Sequence, residues 1–205
     1  KKRIVEIYNQ HNGRYGYRRI TIQLCNEGCH INHKTVFKLM KDLGLKAIIR
    51  EKKYRSYKGE IGKIAPNIIN RDFSCDKPYT KLATDVTEVK INGVKGYISP
   101  IMDMYNGEIL DYTFSERPDL EMVISMVNKT FSHLNVAKGA VLHSDQGFHY
   151  QNHRYKILLE KYGITQSMSR KGNCLDNAMM ENFFGIMKSE LLYLYEFSDI
   201  EHFKS

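Results

Sequence analysis

The chain has 205 residues, 42% hydrophobic and 26% charged, with a formal net charge of +8. This composition supports a globular core and excludes wholesale disorder. No apolar run approaches the roughly 18 residues needed to span a bilayer, and no signal-peptide pattern is present, so a soluble, cytoplasmic chain without a membrane partner is expected. The charge is uneven: residues 1–80 hold 18 Lys and Arg against 7 Asp and Glu, and residues 81–205 hold 13 against 16. A basic first part points to a polyanion-binding module, with a basic membrane-surface protein as the plainer rival.

Lys1 to His11 carries Ile4, Val5, Ile7 and Tyr8 at the spacing of a short amphipathic helix, which Asn12-Gly13 ends. Tyr17 to Glu27 reads as a second helix, with Gly28 as its stop. Asn32 caps a third, "HKTVFKLMKDLGL", in which Val36, Leu39, Met40 and Leu43 form a buried stripe and Gly44 closes. Cys25, Cys29, His30 and His33 lie too close together to wrap a tetrahedral zinc ion, so the four cysteines of the chain read as small buried apolar residues. Two helices joined by a short turn, the second basic outside, outline a helix-turn-helix. A plain helical bundle with a solvated lysine face has the same outline. In the sharper reading His33, Lys34, Thr35 and Lys38 face the major groove, and Arg18 and Arg19 reach phosphates.

Residues 50–58, "REKKYRSYK", suit a nucleic-acid-contacting linker or a solvated tether. The expected organisation is a helix-turn-helix domain over 1–49, a basic linker over 50–70 and a core over 71–205. "KLATDVTEVKIN" (81–92) reads as a strand with Asp85 in its middle. Two more antiparallel strands follow at 95–106 and 107–116, then a helix capped by Asp119 and running to His133. Val141–His143 is the next strand, with Asp145 at its end, followed by a helix to about Tyr162 and the strand "ITQSMS". A last long helix is expected from about Leu175 to Tyr195. At about 100° per residue, it places Asn177, Glu181 and Lys188 opposite a core face of Leu175, Met179, Phe183, Ile186 and Met187. These elements describe an α/β fold, a mixed sheet flanked by helices.

Asp145 ends a buried-type strand, and open α/β sheets present functional groups at carboxyl strand ends; a turn aspartate beside Gln146-Gly147 is the ordinary alternative. Glu181, 35 residues further on, can equally be a surface glutamate. If Asp85, Asp145 and Glu181 do converge, they repel one another unless cations bind between them. Such oxygen ligands suit Mg²⁺ or Mn²⁺, and two ions roughly 3.5–4 Å apart drive phosphodiester chemistry.

"ATDVTEVK", "LHSDQGFHY" and "SRKGNCLDNAMMENFFGIMKSELLY", in that order, with "YGYRRI" and "INHKTVFKLMKDLGL" before them, resemble bacterial insertion-sequence transposases of the IS-three family, relatives of retroviral integrases. The resemblance implies an RNase H-like integrase core after a small all-α helix-turn-helix domain. It implies that Asp85, Asp145 and Glu181 are a metal-binding catalytic triad for two Mg²⁺ or Mn²⁺ ions. Lys188 would contact the DNA end, and "SRKGNCLDNA" would be a mobile loop with Gly172 as its flexible point. The implied partners are insertion-sequence ends, target DNA and further copies of the chain. Leu82 stands where the family usually has a Trp, the integrase-type zinc module is absent, and the core is expected to lack its C-terminal end.

The other carboxylates have plainer uses. Asp176 reads as a helix N-cap, Asp103 and Asp111 lie outside any motif, and strand alternation puts Glu88 on the face opposite Asp85. His143 is a structural histidine or an assistant to the site. The rival functions are a catalytically inactive DNA-binding regulator derived from a transposase, and a two-carboxylate glycan hydrolase.

Overall fold

The computed structural model describes residues 1–48, 64–134, 136 and 138–204. Its first unit is built on α1 (Lys2–Gln10), α2 (Tyr17–Asn26) and α3 (His33–Asp42). Ile4, Ile7, Ile20, Leu24, Val36 and Met40 recur at helical spacing and close into one buried cluster. Gly28 turns the chain between α2 and α3 at φ 85°, a conformation that a Cβ disfavours. Asn32 caps α3 by accepting from the Lys34 amide at 2.8 Å. Lys188–Tyr195 belongs to this unit too. There Arg14 Nη1 donates to the Glu190 carbonyl at 2.9 Å, and Arg19 pairs with the Glu190 carboxylate.

The second unit is a six-stranded mixed sheet with helices on both faces. β3 (Val94–Asp103) runs antiparallel to β4 (Ile109–Ser115) on one side and to β1 (Lys81–Thr84) and β2 (Thr87–Ile91) on the other. β1 then pairs in parallel with β5 (Val141–Ser144), and β5 with β6 (Thr165–Met168). Side-chain alternation along β1 divides the core. Leu82 packs with Ile101, α4 (Leu120–Phe131) and α5 (His153–Lys161) on one face, whereas Ala83 packs with Met102, Met180 and Phe184 of α6 (Ala178–Met187) on the other. Asp119 caps α4 as expected, accepting from the Met122 amide at 2.9 Å. Leu82 is fully buried and packs in the core.

Two expectations are corrected. The strand over 81–92 is one line of residues broken at Asp85-Val86: β1 and β2 keep a single register on β3, and that register sets Asp85 opposite Pro100. Thr84 Oγ1 donates to the Pro100 carbonyl at 2.8 Å, so the edge of Pro100 facing β1 lacks an N–H just where the ladder lapses. The last helix is also not continuous. A 3-10 turn (Cys174–Asn177) leads into α6, a π-helical turn (Lys188–Leu192) follows, and α7 (Ile200–Lys204) comes after a gap. Leu175 and Ile186 are exposed, while Met180, Phe184 and Asn177 are buried. The buried arc therefore reaches the side that carries Asn177 and Glu181, because Ala83, Met102 and Ile69 fill in beneath it. Residues 50–58 and the linker as far as residue 63 lie outside the described residues. Among the described residues no helix is long and apolar enough to cross a membrane.

Candidate active site

The parallel pairing of β1 with β5 decides the site. Lys81 pairs with Val141, Leu82 with Leu142 and Ala83 with His143. Two residues further along the same register, Asp85 stands level with Asp145, each just past the carboxyl end of its strand. Neighbouring strands lie about 4.8 Å apart, so the two carboxylates emerge side by side. They line one cleft of about 270 Å³ with Val86, Glu88, Pro118 and the run Gly147–Tyr150.

Each aspartate is held. The Gly147 amide donates to Asp145 Oδ1 at 2.7 Å, and the Val86 amide to Asp85 Oδ1 at 2.7 Å. Burial pushes the Asp145 carboxyl above its ordinary value, against the bond from Gly147. Tyr150 is buried beside them. Burial first, then the negative charges of Asp85 and Asp145, drives its phenol well above the usual range. His149 Nε2 donates to the Pro118 carbonyl at 2.7 Å, and burial lowers its pKa. Phe148 stacks on His149, ring centroids 3.7 Å apart, and is 62% exposed at the cleft.

Glu88 is corrected: it lines the same cleft as Asp85, although the register of β1 and β2 on β3 runs unbroken between them. Asp176 is corrected as well. It is no cap but a fully buried carboxylate that accepts from the Arg170 amide and guanidinium, from Arg71 Nε and from Asn67 Nδ2. The Arg170 bonds hold it well below the carboxylate range. The loop expected to be mobile is therefore tied at Arg170 and at Asp176. The neighbouring Asn177 donates from Nδ2 to Asp85 Oδ2 at 3.1 Å. Glu181 is half-buried on α6, four residues beyond Asn177 and on the same side of the helix. His143 is buried, shares a 2.8 Å hydrogen bond with Ser167 Oγ, and does not line the cleft. Asp103 is buried and accepts from the Tyr79 and Tyr105 amides, and Asp111 pairs with Lys129.

Oxygen donors side by side suit a hard divalent cation. Among the described residues, however, no three His, Cys, Asp or Glu side chains gather as a metal-ion group. Asp85 and Asp145 line one cleft, and Glu181 is not among the residues that line it.

In the first unit His33, Lys34, Thr35 and Lys38 are exposed along the N-terminal part of α3. Arg18 is exposed, with Nε donating to the Tyr17 hydroxyl at 3.1 Å. Arg19 is exposed but its guanidinium is taken by Glu190 and lies over the Tyr15 ring. Lys188 opens the π-helical turn. The cysteines depart from expectation, since Cys29 is exposed and Cys25 and Cys75 are only half-buried.

Residues 1–53 match the HTH-like domain family and residues 76–174 the Integrase core domain family. The putative transposase InsK of insertion sequence element IS150 from Escherichia coli is 54% identical over 204 residues, covering 100% of this chain and 72% of that protein. The transposase InsF of IS3A, also from Escherichia coli, is 26% identical over 191 residues, covering 93% of this chain and 66% of its own. This chain belongs to the insertion-sequence transposases of the IS-three family. The transposase shares its fold with a chain of the simian T-cell lymphotropic virus intasome in complex with PP2A regulatory subunit B56 gamma, at TM-score 0.52 and 15% identity. That match covers 93% of this chain and 60% of the other. Kinship with transposases through both units favours transposition over the regulator and the glycan hydrolase.

Sequence reasoning on this transposase passed over Asn177 as an Asp85 partner and Gly147, His149 and Tyr150 as cleft residues. The signal for Asn177 was its place one turn before Glu181. The others follow Asp145 directly, where a strand-end carboxylate must be met by the next turn.

Proposed function

We propose that this transposase cuts a DNA strand at an element end and joins the freed 3′-OH to target DNA at the cleft beside β1 and β5. Asp85, Asp145 and Glu181 are its catalytic set and hold one or two Mg²⁺ or Mn²⁺ ions. Ions bound there would activate the attacking water or hydroxyl and stabilise the leaving oxygen. The chain's part is to aim the ligands. The strand register sets Asp85 beside Asp145, the Val86 and Gly147 amides fix one oxygen of each, and Tyr150 and Pro118 wall the cleft. Burial that disfavours a lone charge on Asp145 also favours a cation against it. Glu181 is the third ligand, reached from α6 through the turn that already touches Asp85.

The observation that carries this reading is the level placement of Asp85 and Asp145. DNA binding is assigned to His33, Lys34, Thr35 and Lys38 on α3 with Arg18, Arg19 and Lys188 on phosphates, and copies of the chain assemble on the DNA. The test is Mn²⁺-dependent nicking of supercoiled plasmid. Asp85→Asn, Asp145→Asn and Glu181→Gln are each expected to abolish nicking while leaving the unfolding transition cooperative. Wild-type nicking in any one of them removes that residue from the catalytic set.

A further inference from the structure

We infer that Asn177 is a positioning residue for Asp85, and that the buried Asp176 ion cluster sets Asn177 in place. The inference rests on Asp85 being a metal ligand. It begins with an imbalance in one side chain. Asn177 is 5% exposed, its Nδ2 donates to Asp85 Oδ2 at 3.1 Å, and its Oδ1 is buried with no hydrogen-bond partner. A buried amide oxygen left unpaired is costly. The opposite amide orientation does not relieve it, because that turns Oδ1 against a carboxylate. Asp85 therefore dictates the orientation of Asn177, and the amide in turn fixes one Asp85 oxygen while the Val86 amide fixes the other. Both oxygens of Asp85 are thus aimed, each from a different element.

The turn that presents Asn177 is anchored with unusual thoroughness. Asp176 gathers donors from three residues: Arg170 before the turn, and Asn67 and Arg71 from the segment leading into the sheet. Arg71 Nη2 also donates to Asn173 Oδ1 at 2.8 Å, tying the start of the same turn. A helix cap needs none of this. The arrangement makes mechanical sense if the turn must hold the next residue, Asn177, at a set distance from the first catalytic aspartate. Partners that orient a metal ligand change metal affinity or activity by roughly 10–100-fold when removed.

The test uses the whole chain and Mn²⁺ alone. Calorimetric titration is run on wild type, Asn177→Ala, Asn177→Leu (close in shape, without the donor) and Asp85→Asn, with unfolding temperatures measured in parallel. The expected result is Mn²⁺ affinity reduced roughly 10–100-fold in both Asn177 variants, with unfolding temperatures near wild type. If the alanine variant fails to fold, the leucine variant decides. Wild-type Mn²⁺ affinity in a folded Asn177 variant, with Asp85→Asn abolishing binding, overturns the positioning role and leaves Asp85 a ligand. Wild-type affinity in Asp85→Asn overturns the ligand reading beneath it, and the inference falls with it.

Discussion

Gly147 shows how little room a single residue has at the cleft. A Cβ there would lie 2.9 Å from Asp145 Oδ1. That oxygen is the free end of a side chain, so the carboxylate would swing rather than the backbone break. Gly147→Ala is expected to depress Mn²⁺-dependent nicking at least about 10-fold with a nearly unchanged unfolding temperature; equal nicking would show that Asp145 needs no such fixing. Asp176 makes the opposite kind of prediction. Its carboxyl is held below the ordinary range chiefly by Arg170, so the folded chain binds that proton less readily than the unfolded one. The stability it contributes is present above the unfolded value of about 4 and is lost as pH falls below it. Asp176→Asn should cost about 2 kcal/mol at neutral pH, less than the roughly 3–5 kcal/mol of a fully buried pair because both guanidiniums are about half exposed. It should also flatten acid unfolding below about pH 4; unfolding curves that match wild type across that range would contradict the cluster's role. Asp145 was legible in the sequence because a carboxylate at a strand end is locally odd. Asp176 was not, because its partners Asn67 and Arg71 are about a hundred residues away and a cap is the ordinary use of Asp before a helix.

At the level of elements, the break between β1 and β2 does the aiming. Pro100 denies the ladder a donor where Asp85 leaves it. Pro100→Ala restores that N–H, and the ladder is expected to close across Asp85. Unfolding should then move to higher temperature while Mn²⁺ affinity falls. Higher stability with undiminished Mn²⁺ affinity would separate the break from the site. The three N-terminal helices were readable almost to the residue, since their stripes, caps and glycines are local signals. The sheet order and the β1–β5 register were not. Parallel pairing joins strands some sixty residues apart, and nothing local in "KLAT" or "VLHS" states the alignment. The last helix was read in part: Met179, Phe183 and Met187 pack against the core as expected, but the breaks in the helix, the exposure of Leu175 and Ile186 and the burial of Met180 and Phe184 on Ala83 and Met102 were not legible from one periodic face.

For the molecule as a whole, the uneven charge points to a division of labour. The basic residues concentrate before residue 81, and α3 carries an exposed row with Lys34 and Lys38. The logarithm of the affinity for duplex DNA should fall linearly with the logarithm of salt, and Lys34→Ala and Lys38→Ala should each flatten that slope by about 1. Slopes identical to wild type would move the DNA-contacting surface away from α3. The proposed site stands or falls on Asp85 and Asp145 holding a divalent cation in the cleft. Its test is calorimetric titration of Mn²⁺ into wild type and Asp145→Asn, first alone and then with duplex DNA. Binding to the wild type is expected to disappear in the variant in both conditions. Tight DNA binding with Mn²⁺ uptake that does not depend on Asp145 would contradict it.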